Sequence, residues 1–256
     1  MTSFIGRIGK WWDAQPCGVR LSSWPAGSAN WSHEVSVKRY YVQHHIRPFA
    51  EFSKWKGKRV LEIGCGIGTD TLEFVRAGAS VDGVDLSSES LRLAERRVSM
   101  ENIDPWRWPH FYCLNAESWL PQGPYDLVYS FGVLHHTPHP DEVLKRAWER
   151  MAPGSELRLM LYAKWSLKRM LREQPEAQAG CPLVKWYTKR DARRLAEDTG
   201  FVVESVEKTH IFPWRVADYV EGRYVKRLAY RFIPRSLFEW LERRLGHHLL
   251  IKARKP

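Results

Sequence analysis

The chain has 256 residues, which is enough for one large domain or for a core domain with additions. Its composition is 44% hydrophobic, and no apolar run approaches the roughly 18 residues of a transmembrane helix. The N-terminus lacks the continuous apolar stretch of a signal peptide. The four cysteines are scattered without a C-x-x-C pair, which argues against a disulfide framework or a zinc knuckle. We therefore expect a globular cytoplasmic protein.

The net charge of +11 is unevenly distributed along the chain. Residues 213–256 carry eleven Lys/Arg against four Asp/Glu, together with seven aromatic residues. A basic aromatic stretch of this kind suits nucleic acid, an anionic membrane surface or an acidic substrate. A solvated helical face without a partner explains it equally well, and the charge alone does not choose among these alternatives.

Residues 57–164 alternate short apolar runs with longer segments of helical periodicity. The predicted strands are 58–64, 80–86, 110–116, 125–133 and 156–162. The predicted helices between them are 69–78, 87–100 and 141–151. Regular alternation of strands and helices indicates βαβ units, and hence a parallel sheet covered on both faces.

After residue 164 this alternation ends. The sequence Thr188-x-x-Asp191 is typical of a capping box and predicts the start of a helix, which ends at Gly200. A long strand is predicted at 201–212.

The C-terminal part predicts one more helix and one more strand. A second sequence of the capping-box type, Ser236-x-x-Glu239, predicts a helix that ends at Gly246. The apolar residues at 248–254 predict a closing strand. The connection at 213–247 is therefore interpreted as an inserted helical segment.

The most informative stretch is VLEIGCGIGTD, between the first predicted strand and the first predicted helix. Glycines at this place let the backbone approach a ligand that any Cβ would block, and the helix behind them offers unpaired N–H groups. Asp85 follows 21 residues after Gly64, at the end of the second strand. A carboxylate there can accept hydrogen bonds from both hydroxyls of a ribose. The two features together predict an adenosine-type ligand.

The details of the loop indicate which ligand this is. A dinucleotide fingerprint has a third glycine where this chain has Thr69. The string E-x-G-x-G-x-G resembles instead the motif of class I S-adenosylmethionine-dependent methyltransferases, and the resemblance extends over residues 55–164 and more loosely beyond. The motif residues are Glu62, Gly64, Gly66 and Gly68.

This resemblance implies an α/β fold with a Rossmann-like, doubly wound sheet of seven strands. The strands at 201–212 and 248–254 would form an antiparallel C-terminal edge hairpin. The expected parts of the chain are an N-terminal helical cap at 1–55, a cofactor-binding core at 56–212 and 248–256, and a helical insertion at 213–247.

The resemblance also implies that the cofactor is S-adenosylmethionine and that S-adenosylhomocysteine is the product. Arg39, Tyr40 or Tyr41 of the N-terminal helix is expected to contact the cofactor, and Tyr41 is the one assigned to it. The alternative is an amphipathic helix that only packs on the sheet. The cofactor-binding residues that the resemblance implies are Tyr41, Glu62, Gly64, Gly66, Gly68, Asp85, Leu86, Ala116, Glu117, Ser130 and Phe131.

Three histidines in FGVLHHTPHP, at 135, 136 and 139, suggest a metal site at first sight. The adjacent His135 and His136 are expected to point apart, and His139 lies between two prolines, so no metal site is predicted. The segment follows the fourth strand, at the sheet edge where α/β proteins bind ligands. His136 is therefore a candidate general base. The alternative is that the histidines pack the loop into shape.

The acceptor site is expected beyond the methyl donor. Tyr162, after the fifth strand, joins His136 as a catalytic candidate. Cys181 is expected to act as a thiol of the pocket wall rather than as a nucleophile, because methyl transfer needs no covalent enzyme intermediate. The candidate substrate-binding residues are His135, Lys164, Cys181, Tyr187 and His210.

The resulting functional hypothesis is methyl transfer to an oxygen or nitrogen atom of a small-molecule acceptor of lipid, quinone or sugar type. The insertion at 213–247 would form a lid, a homodimer contact or a peripheral contact with an anionic membrane. An RNA-modifying methyltransferase that uses the basic C-terminal region is the alternative, although the chain lacks an N-P-P-Y motif after the fourth strand. A nucleoside-binding scaffold and a dehydrogenase are further alternatives.

Overall fold

The computed structural model describes residues 3–171, 180–215, 218–219 and 223–256. Parts of two segments discussed above, the irregular region after the fifth strand and the insertion at 213–247, therefore lie outside the described residues.

The described residues form a seven-stranded sheet in the order β3-β2-β1-β4-β5-β7-β6. The strands are β1 Arg59–Ile63, β2 Ser80–Asp85, β3 His110–Cys113, β4 Tyr125–Phe131, β5 Met151–Tyr162, β6 Val202–Thr209 and β7 His248–Arg254. The first five pair in parallel, and β7 runs antiparallel to both β5 and β6. The predicted Rossmann-like fold with an antiparallel edge hairpin is confirmed.

Some helices precede the first strand in the chain, and the others follow strands and flank the sheet. They are α1 Phe4–Ala14, α2 Ala29–Val42, α3 Ile46–Ala50, α4 Thr69–Arg76, α5 Ser88–Ser99, α6 Pro140–Glu149, α7 Leu167–Met170, α8 Lys189–Glu197, α9 Leu228–Arg231 and α10 Arg235–Leu245. The Ser87 side chain caps α5 by accepting a hydrogen bond from the Ser90 N–H, at 3.0 Å. Thr188 and Asp191 form the predicted capping box of α8.

Two local predictions were wrong. Ser236 does not cap α10, because the helix begins one residue earlier, after Pro234, and Ser236 lies within its first turn. Strand β5 begins at Met151 rather than at residue 156, since Met151 already pairs with Tyr125 of β4. The sequence of residues 151–155 did not indicate this pairing, because the pairing depends on the neighbouring strand β4.

The sheet carries an apolar layer on each face. Side chains alternate between the two layers along the central strands, as the period of two residues in a strand requires. In β5, Leu159 and Leu161 belong to the layer that contains α6, whereas Met160 and Tyr162 belong to the layer that contains Phe74 of α4. The phase of β5 therefore decides on which side of the sheet Tyr162 emerges.

Helix α2 is fixed to the glycine loop by a fully buried arginine of α5. The Arg97 guanidinium donates hydrogen bonds to the Ile67 carbonyl and the Thr69 hydroxyl. It also donates to the hydroxyls of Ser32 and Ser36 in α2. Burial lowers the pKa of Arg97 to about 10, so the side chain stays cationic at neutral pH. A buried charge is tolerated when its donors are satisfied in this way.

Candidate active site

A cleft lies at the carboxyl ends of the parallel strands, where the strand order reverses between β1 and β4. Its walls come from the glycine loop, from the ends of β2, β4 and β5, and from helices α1 and α2. The cleft has a volume of about 180 Å³. Open α/β sheets bind their ligands at this position.

The three loop glycines all have positive φ angles, of 76°, 52° and 71° in chain order. A Cβ on Gly64 would lie 2.1 Å from a methyl group of Val133, and one on Gly68 would lie 2.9 Å from the Cβ of Ala94 in α5. A Cβ on Gly66 would meet no protein atom within 4 Å. Gly64 and Gly66 border the cleft, whereas Gly68 serves the packing of α4 against α5.

Asp85 lies on the cleft wall at the end of β2. One of its carboxylate oxygens accepts the N–H of Gly66 at 2.8 Å, and the other accepts the N–H of Ser87 at 2.8 Å. Each oxygen keeps lone-pair capacity for a further hydrogen bond. Burial raises the pKa of Asp85. Two acceptor oxygens held side by side fit the two hydroxyls of a ribose.

Next to Asp85 the cleft wall is apolar. Leu86, Leu114 and Ala116 line it, and such a surface packs well against an adenine ring. Glu117 lies outside this wall, where its carboxylate accepts the N–H of His139 at 2.9 Å. The apolar wall and Asp85 together fit the adenosine part of S-adenosylmethionine.

Helix α2 contributes Arg39 to the cleft. Its guanidinium donates two hydrogen bonds to the buried Asp70, at 3.1 and 2.7 Å. The hydroxyls of Tyr40 and Tyr129 donate to the same carboxylate, at 2.8 and 3.0 Å. This network fixes α2 against the start of α4.

Tyr41 lies outside the cleft, unlike the expected contact with the cofactor. Its side chain is 55% exposed, and its ring stacks on Trp214 with centroids 5.6 Å apart. Consecutive residues of a helix point about 100° apart. Once Arg39 and Tyr40 face the sheet, Tyr41 must therefore point away from it.

Two further residues of the expected cofactor site differ in position. Glu62 borders the cleft but is almost fully buried, where it accepts a hydrogen bond from the Thr71 hydroxyl, and burial raises its pKa. The Ser130 hydroxyl donates to the Ile63 carbonyl at 2.9 Å, so Ser130 links β4 to β1 and does not line the cleft. Phe131, the next residue, does line it.

The two adjacent histidines do not point apart as expected. A short 3₁₀ turn, Leu134–His136, buries both rings with their centroids 4.3 Å apart. His135 stacks on Tyr162 at 3.7 Å, outside the cleft, and neither of its ring nitrogens has a hydrogen-bond partner in the described part of the chain. His139 is exposed. Within the described ranges, no group of three His, Cys, Asp or Glu residues is arranged to hold a metal ion.

His136 borders the cleft. Its Nδ1 lies 2.7 Å from the Leu183 carbonyl and must be the donor to it, so a neutral imidazole carries its lone pair on Nε2. That Nε2 has no partner among the residues that the structure describes. Burial lowers the pKa of His136 to about 4, which keeps the ring neutral at pH 7. Cys181 lies behind the ring, with its Sγ 3.4 Å from Nδ1.

The remaining expected acceptor residues lie around Tyr162, which borders the cleft at the end of β5. Tyr187 and Lys164 are joined to this strand end by backbone hydrogen bonds, and their side chains do not line the cleft. His210 lies behind His248, with ring centroids 4.6 Å apart.

Several cleft residues escaped the sequence analysis. His248, at the start of β7, pairs in register with Tyr162 and reaches the cleft beside it. This register is not visible in the sequence, because it depends on the pairing of β7 with β5. Helix α1 contributes Ile5 and Ile8 to the opposite wall. They lie beside Trp12, for which the sequence WW at 11–12 already suggested a place over the acceptor pocket.

Comparison with known sequences supports this interpretation of the cleft. The family model described as a methyltransferase domain matches residues 36–206. The chain is 32% identical over 147 residues to the ubiquinone biosynthesis O-methyltransferase of Psychrobacter cryohalolentis, a match that covers 57% of this chain and 56% of that relative. It is 27% identical over 219 residues to the protein of the same name from Psychrobacter arcticus, covering 80% and 82%. The first of these matches thus spans only about half of the relative's length.

Comparison with solved structures supports the same fold. The magnesium protoporphyrin IX methyltransferase of Synechocystis PCC 6803 with bound SAM superposes with a TM-score of 0.61 at 16% identity, covering 100% of this chain and 99% of that one. That structure shows the fold that this chain shares, and the match of the family model over residues 36–206 shows that the chain belongs to the methyltransferase domain family.

Proposed function

We propose that the protein transfers the methyl group of S-adenosylmethionine to an oxygen atom of a small aromatic acceptor of quinone type. The name of the relatives, ubiquinone biosynthesis O-methyltransferase, supports this acceptor class. The cleft wall beyond the ribose site also supports it, because it is built from Trp12, Phe131, His136, Met160 and Tyr162. Aromatic side chains and a thioether pack favourably against a flat ring.

The methyl donor would lie in the part of the cleft nearest the glycine loop. Asp85 would bind the ribose hydroxyls, and Leu86 and Ala116 would pack against the adenine. Glu62, Gly64 and Gly66 would border the methionine part. The sulfonium methyl is a strong electrophile, so the protein contributes mainly the alignment of donor and acceptor.

The observation that carries the proposal is the state of His136. It borders the cleft as a neutral imidazole whose Nε2 lone pair is buried in the cleft wall and lacks a protein partner among the described residues. A small shift of this wall would expose Nε2, and the acceptor hydroxyl would then donate to its lone pair. As the S–CH₃ bond breaks and the O–CH₃ bond forms, the hydroxyl proton passes to His136. The products are a methyl ether, S-adenosylhomocysteine and an imidazolium ion.

An oxygen nucleophile is favoured over nitrogen for a physical reason. A neutral amine can attack the methyl group before it loses a proton, and so it gains little from a base. A phenolic hydroxyl is a weak nucleophile until its proton is withdrawn. A neutral imidazole at the acceptor end can take up this proton as the methyl group is transferred, although its lowered pKa makes His136 a weaker base than a free imidazole.

The test compares two benzoquinol compounds that differ at one ring position, where one carries a hydroxyl and the other an amine. Each is incubated with the protein and S-adenosylmethionine, and the products are analysed by mass spectrometry. We expect an O-methylated product. His136→Gln should lower kcat by about 100-fold or more, because general-base catalysis contributes that much, while calorimetry shows unchanged binding of S-adenosylhomocysteine. His139→Gln, which changes an exposed histidine, is the control. Methylation of the amine alone, or full activity of the His136 variant, would contradict the proposal, as would binding of NAD without S-adenosylhomocysteine.

We further propose that the C-terminal insertion holds the protein at an anionic membrane surface. Leu228 is 68% exposed and Phe232 is 80% exposed, and Trp240 of α10 is also exposed. Arg231 and Arg235 lie exposed between them. We call these five residues the insertion patch. Apolar side chains interspersed with arginines suit the boundary between acidic headgroups and acyl chains.

The contact would be peripheral. Across the described ranges, none of the helices combines the length and the apolar character needed to cross a bilayer. An acceptor of quinone type with an apolar tail would reside in that bilayer, so a surface contact would bring the cleft to its substrate.

Co-sedimentation with vesicles tests this contact. The protein should bind vesicles that contain phosphatidylglycerol, with an affinity that falls as salt rises, and should bind pure phosphatidylcholine vesicles weakly. The double change Leu228→Ser and Phe232→Ser should abolish binding, whereas Val202→Ser, at an exposed site on the edge strand, should not. A monomer–dimer equilibrium that the same double change abolishes would assign the insertion patch to a second copy of the chain instead.

A further inference from the structure

Four buried histidines from distant parts of the chain meet beside the cleft. His45 precedes α3, His210 follows β6, and His247 and His248 lie at the start of β7. The ring centroid of His248 is 5.0 Å from that of His45 and 4.6 Å from that of His210. Of these four, His248 borders the cleft.

His45 and His248 are joined by a direct hydrogen bond between rings. The Nε2 of His45 lies 2.9 Å from the Nδ1 of His248. Burial lowers the pKa of both rings well below the usual value, so both are neutral at pH 7. One of the two facing nitrogens therefore carries a proton, and the other carries a lone pair.

The other nitrogen of His45 shows which arrangement is favoured. The Nδ1 of His45 is buried and has no hydrogen-bond partner in the described part of the chain. If His248 were the donor, neutral His45 would carry its proton on this Nδ1 and would bury an N–H without an acceptor. If His45 is the donor, only a lone pair is left unpaired. Buried N–H groups without acceptors are the rarer case in proteins.

With His45 as donor, the neutral His248 keeps its own proton on Nε2. No residue in the described part of the chain pairs with that nitrogen, and it is not completely buried. Because His248 borders the cleft, we take this N–H to face the cleft. It lies near Tyr162, whose ring stacks parallel to that of His248 at 5.8 Å.

We infer that His45 is a positioning residue that fixes the tautomer of His248, and that His248 donates a hydrogen bond from Nε2 to an oxygen atom of the bound acceptor. The inference rests on the proposed O-methyl transfer, because it assigns a second polar contact to the same acceptor. His136 and His248 then have opposite roles beside Tyr162, whose ring centroid lies 5.9 Å from the first and 5.8 Å from the second. His136 accepts a proton, and His248 donates a hydrogen bond. The spacing of the histidines along the chain shows neither the contact of His45 with His248 nor the place of His136 and His248 beside Tyr162.

The tautomer is measured directly by NMR. Protein labelled with ¹⁵N-histidine shows in long-range ¹H–¹⁵N spectra which ring nitrogen of each histidine carries the proton, and the His248 signals are assigned by their loss in His248→Gln. We expect His248 with its proton on Nε2 and His45 likewise. A wild-type His248 with its proton on Nδ1 would overturn the inference, whatever the enzyme activity is.

Kinetics with His45 variants test the consequence for the acceptor. His45→Met removes the donor at nearly constant volume, whereas His45→Gln places an amide N–H₂ where the Nε2 donor was. The Met variant should raise the KM for the acceptor about tenfold, the value of one hydrogen bond, with kcat changed less than about twofold and the Kd of S-adenosylhomocysteine unchanged. The Gln variant should recover most of the loss.

His139→Gln again serves as the control, since this histidine is exposed and remote from the pair. An unchanged acceptor KM in His45→Met, or a Gln variant no better than Met, would overturn the inference. If the wild-type protein methylates no hydroxyl acceptor, the proposed function fails, while the NMR spectra of the wild type still decide the tautomer of His248.

Discussion

At the scale of single residues, Gly64 and Gly66 share a positive φ angle but differ in their surroundings. The space beside Gly64 is filled by Val133 at the end of β4, and the space beside Gly66 is empty of protein atoms. A side chain at the first position would therefore disturb the fold, whereas one at the second would displace the ligand.

The alanine variants should separate these two effects. Gly66→Ala should lower the unfolding free energy by about 1 kcal/mol, the usual cost of a left-handed residue, but weaken binding of S-adenosylhomocysteine about 10- to 100-fold by overpacking. Gly64→Ala should lower the melting temperature strongly, and adding Val133→Ala should restore part of it. Calorimetry and thermal denaturation measure both quantities. Wild-type affinity in Gly66→Ala would contradict this assignment.

Asp85 provides a second prediction at this scale, because its two oxygens accept backbone N–H groups and face the cleft. Asp85→Asn replaces one acceptor by a donor and removes the charge. Binding of S-adenosylhomocysteine should weaken by about 2 kcal/mol, or roughly 30-fold, as for hydrogen bonds to a charged group. Asp141→Asn, in the first turn of α6, is the control. Equal affinities of the two variants in calorimetry would show that Asp85 does not bind the ribose.

At the scale of elements, α1 is attached to the start of α5 by Asp13. The Asp13 carboxylate accepts hydrogen bonds from the Ser87 hydroxyl at 2.8 Å and from the Glu89 N–H at 3.1 Å. A negative charge at a helix N-terminus is favourable, since it interacts with unpaired N–H groups and the helix dipole. This contact holds Ile8 and Trp12 over the cleft.

Weakening this attachment should change how long the cofactor stays bound. Asp13→Ala should accelerate dissociation of S-adenosylhomocysteine about fivefold, because the contact is worth about 1 kcal/mol. Stopped-flow tryptophan fluorescence measures the rate. Asp141→Ala removes an acidic residue from the first turn of another helix, α6, which does not line the cleft, and should leave the rate unchanged. Equal rates in both variants would mean that α1 does not limit ligand release.

At the scale of the whole molecule, the buried histidines make the fold sensitive to acid. In the described part of the chain, six histidines are buried with lowered pKa values, to about 4 for His136 and about 3 for His210. In the unfolded chain, histidines bind protons below about pH 6.5. Between that pH and the folded pKa values the unfolded state binds more protons, so stability falls as the pH falls.

We expect these histidines to contribute no pH dependence of the unfolding free energy above about pH 7 and to lower it between about pH 6 and 4, by up to about 1.4 kcal/mol per pH unit for each histidine. Denaturant titrations at successive pH values measure this slope. His135→Leu removes one such histidine without breaking a side-chain hydrogen bond among the described residues, and should reduce the slope by about one proton. His139→Gln, at an exposed site, should not change it. An unaltered slope in His135→Leu would contradict the explanation.

The fold class, the glycine loop and the position of Asp85 follow from the sequence, because they depend on local period and short spacing. Strand and helix periods identify βαβ units, and the strand–loop–helix order places the loop at the sheet edge. The two capping-box sequences show how far short motifs are informative. The capping box at Thr188 forms. Helix α10 begins directly after Pro234, so Ser236 lies inside the helix and cannot cap it.

The acceptor end of the cleft depends on contacts that form only when the chain is folded. Whether Arg39 or Tyr41 faces the ligand depends on the phase at which α2 docks, and the meeting of His45 with His248 depends on the register of β7 against β5. Both are set by packing between segments up to about 200 residues apart, where neither helical nor strand periodicity carries information.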